Sequence, residues 1–213
     1  IKSGDGTLRM DANNSALNVP VTLNRGEIRG LGNNANNFFG TGDYTLNFGT
    51  LRSSTSTAQT YFNSPGQDLI VAGAVLLVND RNGGGGRTIT YGANNGTNTY
   101  RTINGAHWRI RSDSGDSIVF EGKTFINDNA TYFTDSGALF LRDTVEGGGV
   151  FVKSGSNQIL FDNNVANSNW KGRIDVQGGM VRVNQANATL GGAGSSVLVH
   201  SFGGVSVHNV NNF

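Results

Sequence analysis

The serine with the most chemical promise is Ser117, in Gly115-Asp116-Ser117-Ile118, a Gly-Asp-Ser-Leu-like context in which serine serves as a nucleophile. A serine nucleophile needs a base to take its proton. In that context the base is the histidine of an Asp-x-x-His sequence, yet the residues three before His107, His200 and His208 are Asn104, Val197 and Val205. The segment therefore reads as a polar turn, and no Gly-x-Ser-x-Gly elbow occurs elsewhere in the chain. Gly122-Lys123-Thr124 ends like a phosphate-binding loop, but Ser117 stands where the motif's first glycine belongs and no helical pattern follows. Without a helix N-terminus to receive phosphate, the expectation is a lysine at a strand edge.

Metal and glycan chemistry fare little better. Gly191-Gly192-Ala193-Gly194-Ser195-Ser196 has the outline of a calcium-binding Gly-Gly-x-Gly-x-Asp turn, with Ser196 in place of the carboxylate. Calcium wants several hard oxygen ligands, and a hydroxyl there forfeits most of the affinity. Asp113 and Asp116 flank a short turn and form a weak cation site at most. The other carboxylates, among them Asp43, Asp68, Asp80, Asp128, Asp143 and Asp175, are scattered singly, whereas a polysaccharide-cleaving site needs two or three converging acids. Phe38-Phe39, Trp108, Tyr132-Phe133 and Trp170 could offer a sugar-stacking face, but alternating aromatics in thin β-structure are expected to be core. The three histidines are too far apart to read as a metal cluster, and without cysteine no thiolate site exists. No residue is assigned a catalytic, cofactor or metal role, and the chain reads as non-enzymatic.

Whatever positions these residues is β-structure. Apolar residues alternate in Thr45 to Phe48, Trp108 to Arg111, Met180 to Val183 and Val197 to His200, each bounded by Gly, Asn or Ser, and no stretch sustains a helical apolar period. The 213 residues include 32 Gly, 28 Asn and only 2 Pro, with 36% hydrophobic residues and 12 Phe, a composition that folds rather than one that stays disordered. Sixteen basic against fifteen acidic side chains give +1, too weak a field to collect nucleic acid. The longest apolar run, Leu69 to Val78, is about half of what a membrane-spanning helix requires. The N-terminus has neither an initiator Met nor a signal-peptide hydrophobic region, which reads as a processed or partial product.

Strands repeatedly open on glycine: Gly26, Gly49, Gly73, Gly105, Gly137, Gly149, Gly179 and Gly204. Their steps run from 23 to 32 residues, apart from one of 12 between Gly137 and Gly149, and fit one coil of a solenoid per step. Corners between strands need Gly or Asn, which tolerate positive φ, and stacked Asn amides can form ladders along the axis. Loops are expected at Ser53 to Ser56, Asn82 to Arg87 and Ala93 to Asn98, within an irregular middle at 55–145.

An internal repeat supports the solenoid. Ile1-Lys2-Ser3-Gly4 recurs as Val152-Lys153-Ser154-Gly155; at the same offset Met10-Asp11 matches Phe161-Asp162 and Asn13 matches Asn164, while Arg25-Gly26-Glu27-Ile28 lies opposite Gln177-Gly178-Gly179-Met180. Residues 152–205 resemble the autotransporter-associated β-strand repeat, also called the passenger-associated transport repeat. The resemblance is carried by Lys153 and Gly155, Ile159 to Phe161, Asn163-Asn164, Gly172, Gly178-Gly179 with Val181 and Val183, Leu190-Gly191 and Gly203-Gly204. Residues 1–52 resemble a second copy through Lys2-Ser3-Gly4, Gly26 and Gly49-Thr50-Leu51, and Trp170-Lys171 departs from the family's Tyr-Thr-Gly. The resemblance implies a right-handed parallel β-helix, exported and displayed at a bacterial cell surface, that supports folding and secretion rather than catalysis.

The expectation is thus an all-β, single-domain β-solenoid with Gly/Asn-rich turns, extracellular, serving as a structural or adhesive module: a stalk, surface-layer component or filament subunit. The partners expected are end-to-end copies or further coils, or a glycan or cell-surface ligand. A secretion-supporting passenger segment and a polysaccharide-cleaving β-helix are the alternatives.

Overall fold

The computed structural model describes the chain except residues 12–13, 32–37, 63, 82–87, 93–96, 113–115, 164–165 and 209–213. The loop at 82–87, the matched Asn13 and Asn164, and Asp113 with its candidate cation site therefore lie outside the described residues, as does most of the loop at 93–98.

Among the described residues every strand pairs in parallel, and the strands stack into three sheets that form a β-solenoid. The chain passes in turn through a six-stranded, a nine-stranded and a seven-stranded sheet; one full coil, for example, is Asp68–Val71, Ala74–Arg81 and Thr88–Tyr91. The nine-stranded sheet is the longest, from Thr7–Met10 to Ser196–Val199.

The alternation read from sequence is the alternation of inside and outside. Ile28, Leu51, Leu77 and Ile110 occupy successive positions of one register column and are all fully buried. Each contributes roughly 1.5–3 kcal/mol by leaving water. Beside them runs an aromatic column. Phe39 packs on Tyr61, Tyr61 on Tyr91, Tyr91 on Phe120, Phe120 on Trp108, Trp108 on Tyr132, Tyr132 on Phe151 and Phe151 on Phe161, with ring centroids 4.7–6.0 Å apart. Phe38, Phe39, Trp108, Tyr132 and Trp170 are thus core, as expected, but Phe133, expected with them, alternates to the outer face of its strand and is only half-buried.

The loop expected at Ser53–Ser56 is instead largely strand, Gly49–Thr55, with Ser53, Ser54 and Thr55 buried. Burial is possible because the hydroxyls find partners: Ser53 Oγ and Tyr61 Oη lie 3.0 Å apart, and Ser54 Oγ accepts from Arg29 Nε at 3.2 Å.

The glycine signal marks two different corners. Gly26, Gly49, Gly73, Gly105 and Gly149 precede or open strands of the nine-stranded sheet, whereas Gly137, Gly179 and Gly204 do so for the seven-stranded sheet. The anomalous step of 12 between Gly137 and Gly149 is a change of corner, not a short coil. At Gly49, where φ is +114°, an added Cβ would also run into the Gly26 carbonyl of the coil beneath.

The internal repeat is physically real and displaced. Lys2 Nζ donates to the carbonyls of Gly4 at 2.7 Å and Arg25 at 3.2 Å; Lys153 Nζ donates to those of Ser154, Gly155 and Gly178 at 2.5, 3.0 and 3.0 Å. The carbonyl partners show that Arg25 corresponds to Gly178, and Gly26 to Gly179, one residue later than simple alignment of the two segments places them. Lys2 bridges Leu23 on the six-stranded side, but Lys153 pairs with Val176 in the nine-stranded sheet. The second copy is therefore rotated by one face relative to the first.

Asn side chains ladder at one corner, where Asn47 Nδ2 donates to Asn24 Oδ1 at 2.7 Å. More often they bridge coils by capping carbonyls. Asn98 Nδ2 reaches the carbonyls of Phe62, Ser64 and Gln67 at 2.9, 2.8 and 3.2 Å.

Candidate binding face

The outer surface of the nine-stranded sheet carries an axial groove. Register aligns Thr50, Leu76, Arg109 and Phe133 in one outward column, and Ala74, His107 and Thr131 in the next. Two adjoining depressions of about 300 and 310 Å³ lie along these columns, the first lined by Gly49, Thr50, Ala74, Leu76, His107 and Arg109, the second by His107, Arg109 and Phe133. The Arg109 guanidinium sits 5.4 Å from the Phe133 ring centre.

That pairing recurs on the other faces. Arg101 lies 4.6 Å over Phe125 on the six-stranded sheet, and Arg142 lies 6.0 Å from Phe140 on the seven-stranded sheet. Phe125, Phe133 and Phe140 belong to one coil, so that coil turns a half-buried phenylalanine outward on each of its three sides. Each cation–π contact is worth about 0.5–1 kcal/mol at an exposed site.

Most of the described carboxylates are engaged in holding corners and coils. Arg52 bridges Glu27 at 3.0 Å and Asp80 at 2.7 Å. Burial alone would lower its pKa, but hydrogen bonds and charge from both acids outweigh that and raise it. Arg142 does the same with Glu121 at 2.8 Å and Asp162 at 3.3 Å. Asp68 pairs with Arg101, and Asp175 with His200 at 2.8 Å and Arg173 at 3.6 Å. Asp43, Asp128 and Asp143 accept from the backbone N–H groups of Asp68, Asn104 and Thr144. Asp128 also lines a polar corner notch of about 470 Å³ with Asn104, Asn127 and Gly148. Among the described residues no three of His, Cys, Asp and Glu converge as metal ligands.

The sequence-singled motifs separate. Ser117 opens a strand of the seven-stranded sheet with its hydroxyl 3.2 Å from that of Thr88, and Asp116 beside it is buried. His107 belongs to the nine-stranded sheet, and His200 follows that sheet's last strand. Lys123 begins a strand and lies 3.8 Å from Glu146. Gly191 to Ser196 form a turn in which Ser195 Oγ donates to the Gly192 carbonyl at 2.8 Å. The groove itself has no local sequence signature, because Leu76, Arg109 and Phe133 meet only through coils of unequal length.

Comparison with known proteins finds no match: no family model, curated protein or solved structure resembles the chain.

Proposed function

We propose that this chain is a non-enzymatic structural or adhesive β-solenoid module that works outside the cell, as part of a stalk, surface layer or filament. The observation that carries this reading is the uninterrupted parallel stack, in which sheets of six, nine and seven strands pair coil on coil around an aliphatic and aromatic core. Such a stack adds coils along one axis, and an apolar strand edge templates further pairing. On the last described coil Val197, Val199, Val205 and Val207 are 37–46% exposed, whereas their register partners Ile174, Val176, Val181 and Val183 are buried.

The non-enzymatic reading draws on the described carboxylates, most of which pair with basic side chains or corner amides of the solenoid itself. The outward arginine–phenylalanine pairs support an adhesive role for the sides of the rod.

A second reading, a passenger segment of the autotransporter-associated repeat type that supports secretion, draws on the lysine clamp. The repeat's most recognisable residues, Lys153, Gly155, Gly178 and Gly179, gather at a single corner, and Lys2, Gly4, Arg25 and Gly26 repeat it.

The test is cell fractionation followed by negative-stain electron microscopy and sedimentation of the native material. The expected outcome is protein outside the cell in rods or fibres. Recovery from the cytoplasm as short monomeric particles at every concentration overturns the reading; a rod cleaved from an outer-membrane barrel selects the second one.

A further inference from the structure

We infer that the outer face of the nine-stranded sheet binds a linear glycan bearing carboxylates, laid along the solenoid axis. The inference rests on the adhesive half of the reading above and adds the ligand's chemistry.

Shape comes first. The groove crosses four coils from Gly49 and Thr50, past Ala74 and Leu76 and then His107 and Arg109, to Phe133. Strands stack about 4.8 Å apart, so this is a trough about 14 Å long. Each coil passes under roughly one sugar ring of a chain aligned with the axis. Small and apolar residues on the floor suit the C–H faces of pyranose rings, and the Phe133 ring lines its far end.

Charge then selects the class of glycan. The chain as a whole is +1, yet the strands of the nine-stranded sheet hold eight Arg and Lys against four Asp and Glu, leaving eight against eleven elsewhere. Of the eight, only Lys153 is a lysine, and it is fully buried. Beside the groove, register places Arg29, Arg52, Val78 and Arg111 in one column. Arg52 is committed to Glu27 and Asp80, whereas Arg29 donates to the Ser54 hydroxyl and Arg111 is exposed. Guanidinium groups take carboxylates two-pronged with charge assistance that the hydroxyls of a neutral sugar do not supply. A peptide strand is disfavoured, because the backbone groups of this sheet are spent on the neighbouring coils and offer no free edge along the groove.

The test is calorimetric titration of the full chain with oligomers of galacturonate and of mannuronate, beside methyl-esterified galacturonate, a neutral glucan and poly-glutamate. At least one acidic glycan should bind, with affinity falling as salt rises. Its ester and the glucan should bind at least about tenfold more weakly, and Arg111→Gln and Phe133→Ser should each weaken binding about tenfold while both variants still unfold cooperatively. Binding to neither acidic glycan, equal binding of the ester, or full binding by Arg111→Gln overturns the inference. Equal binding of poly-glutamate also overturns it in favour of an acidic polypeptide. Rods or fibres that bind no glycan sink this inference alone, while glycan binding by a protein confined to the cytoplasm sinks the extracellular reading alone.

Discussion

Lys153 donates its ammonium to the Gly178 carbonyl of the following coil at 3.0 Å, and so ties a corner to the coil stacked on it. Three carbonyls receive this side chain, which has no exposed surface. Burial pulls its pKa down from 10.5 to about 8. A folded-state value below the unfolded one means that the unfolded chain holds the extra proton between pH 8 and 10.5. Stability therefore rises with pH across that window, by up to about 2–3 kcal/mol, and is lower, and flat, below it. Denaturant unfolding at pH 7.5 to 9.5 checks this. The rise should vanish in Lys153→Met, which also orphans three carbonyls and costs about 1–3 kcal/mol at pH 9.5.

Gly49→Ala places a Cβ against the Gly26 carbonyl at a φ of +114°. Strain and collision together should cost roughly 2 kcal/mol or more. Gly105→Ala, at positive φ but with open space around the added carbon, should cost less, and thermal unfolding of the two variants measures the difference.

Asn98→Ala removes a buried amide that caps three carbonyls of the preceding coil. The loss should be about 1–3 kcal/mol. Hydrogen exchange should rise most at Gln67 and its neighbours, since that turn loses its tether; uniform loss of protection across all coils would contradict the local role.

Arg52→Met leaves Glu27 and Asp80 without their shared cation. Because the guanidinium is only partly exposed, the expected cost is about 1–2 kcal/mol, above the ordinary value for surface pairs. It should shrink at 1 M salt, which a salt series of unfolding curves reads directly.

Val205→Asp puts a charge on the last described coil, where the valine is 37% exposed. It should abolish end-to-end association while changing the monomer's stability by less than about 1 kcal/mol, as sedimentation and thermal unfolding report separately. Association that survives the change places the contact elsewhere.

The solenoid was legible because alternation reports inside and outside directly, as at Trp108 to Arg111, and because Gly marks corners. Which corner was not legible. Gly137 and Gly149 look alike in sequence, and only strand pairing assigns them to different sheets. The lysine motif was found for the same reason that its face was missed: Lys2 and Lys153 answer to a local turn that fits any corner where the next coil offers a carbonyl. Ser53–Thr55 read as loop because buried hydroxyls depend on partners from other coils, here Tyr61 and Arg29. The groove was invisible because the residues between Leu76 and Arg109 outnumber those between Arg109 and Phe133.

The aromatic column also governs how the molecule handles light. All five tyrosines, Tyr44, Tyr61, Tyr91, Tyr100 and Tyr132, are buried within it or beside it, and Trp108 stands between Phe120 and Tyr132 with its ring nearly parallel to that of Tyr132. Ultraviolet excitation absorbed by the Tyr132 phenol should pass to the Trp108 indole, 5.9 Å away and the lower-energy acceptor, so this turn should emit as tryptophan. Parting these two coils should raise the tyrosine band, which would make the ring pair a dye-free gauge of whether they remain stacked.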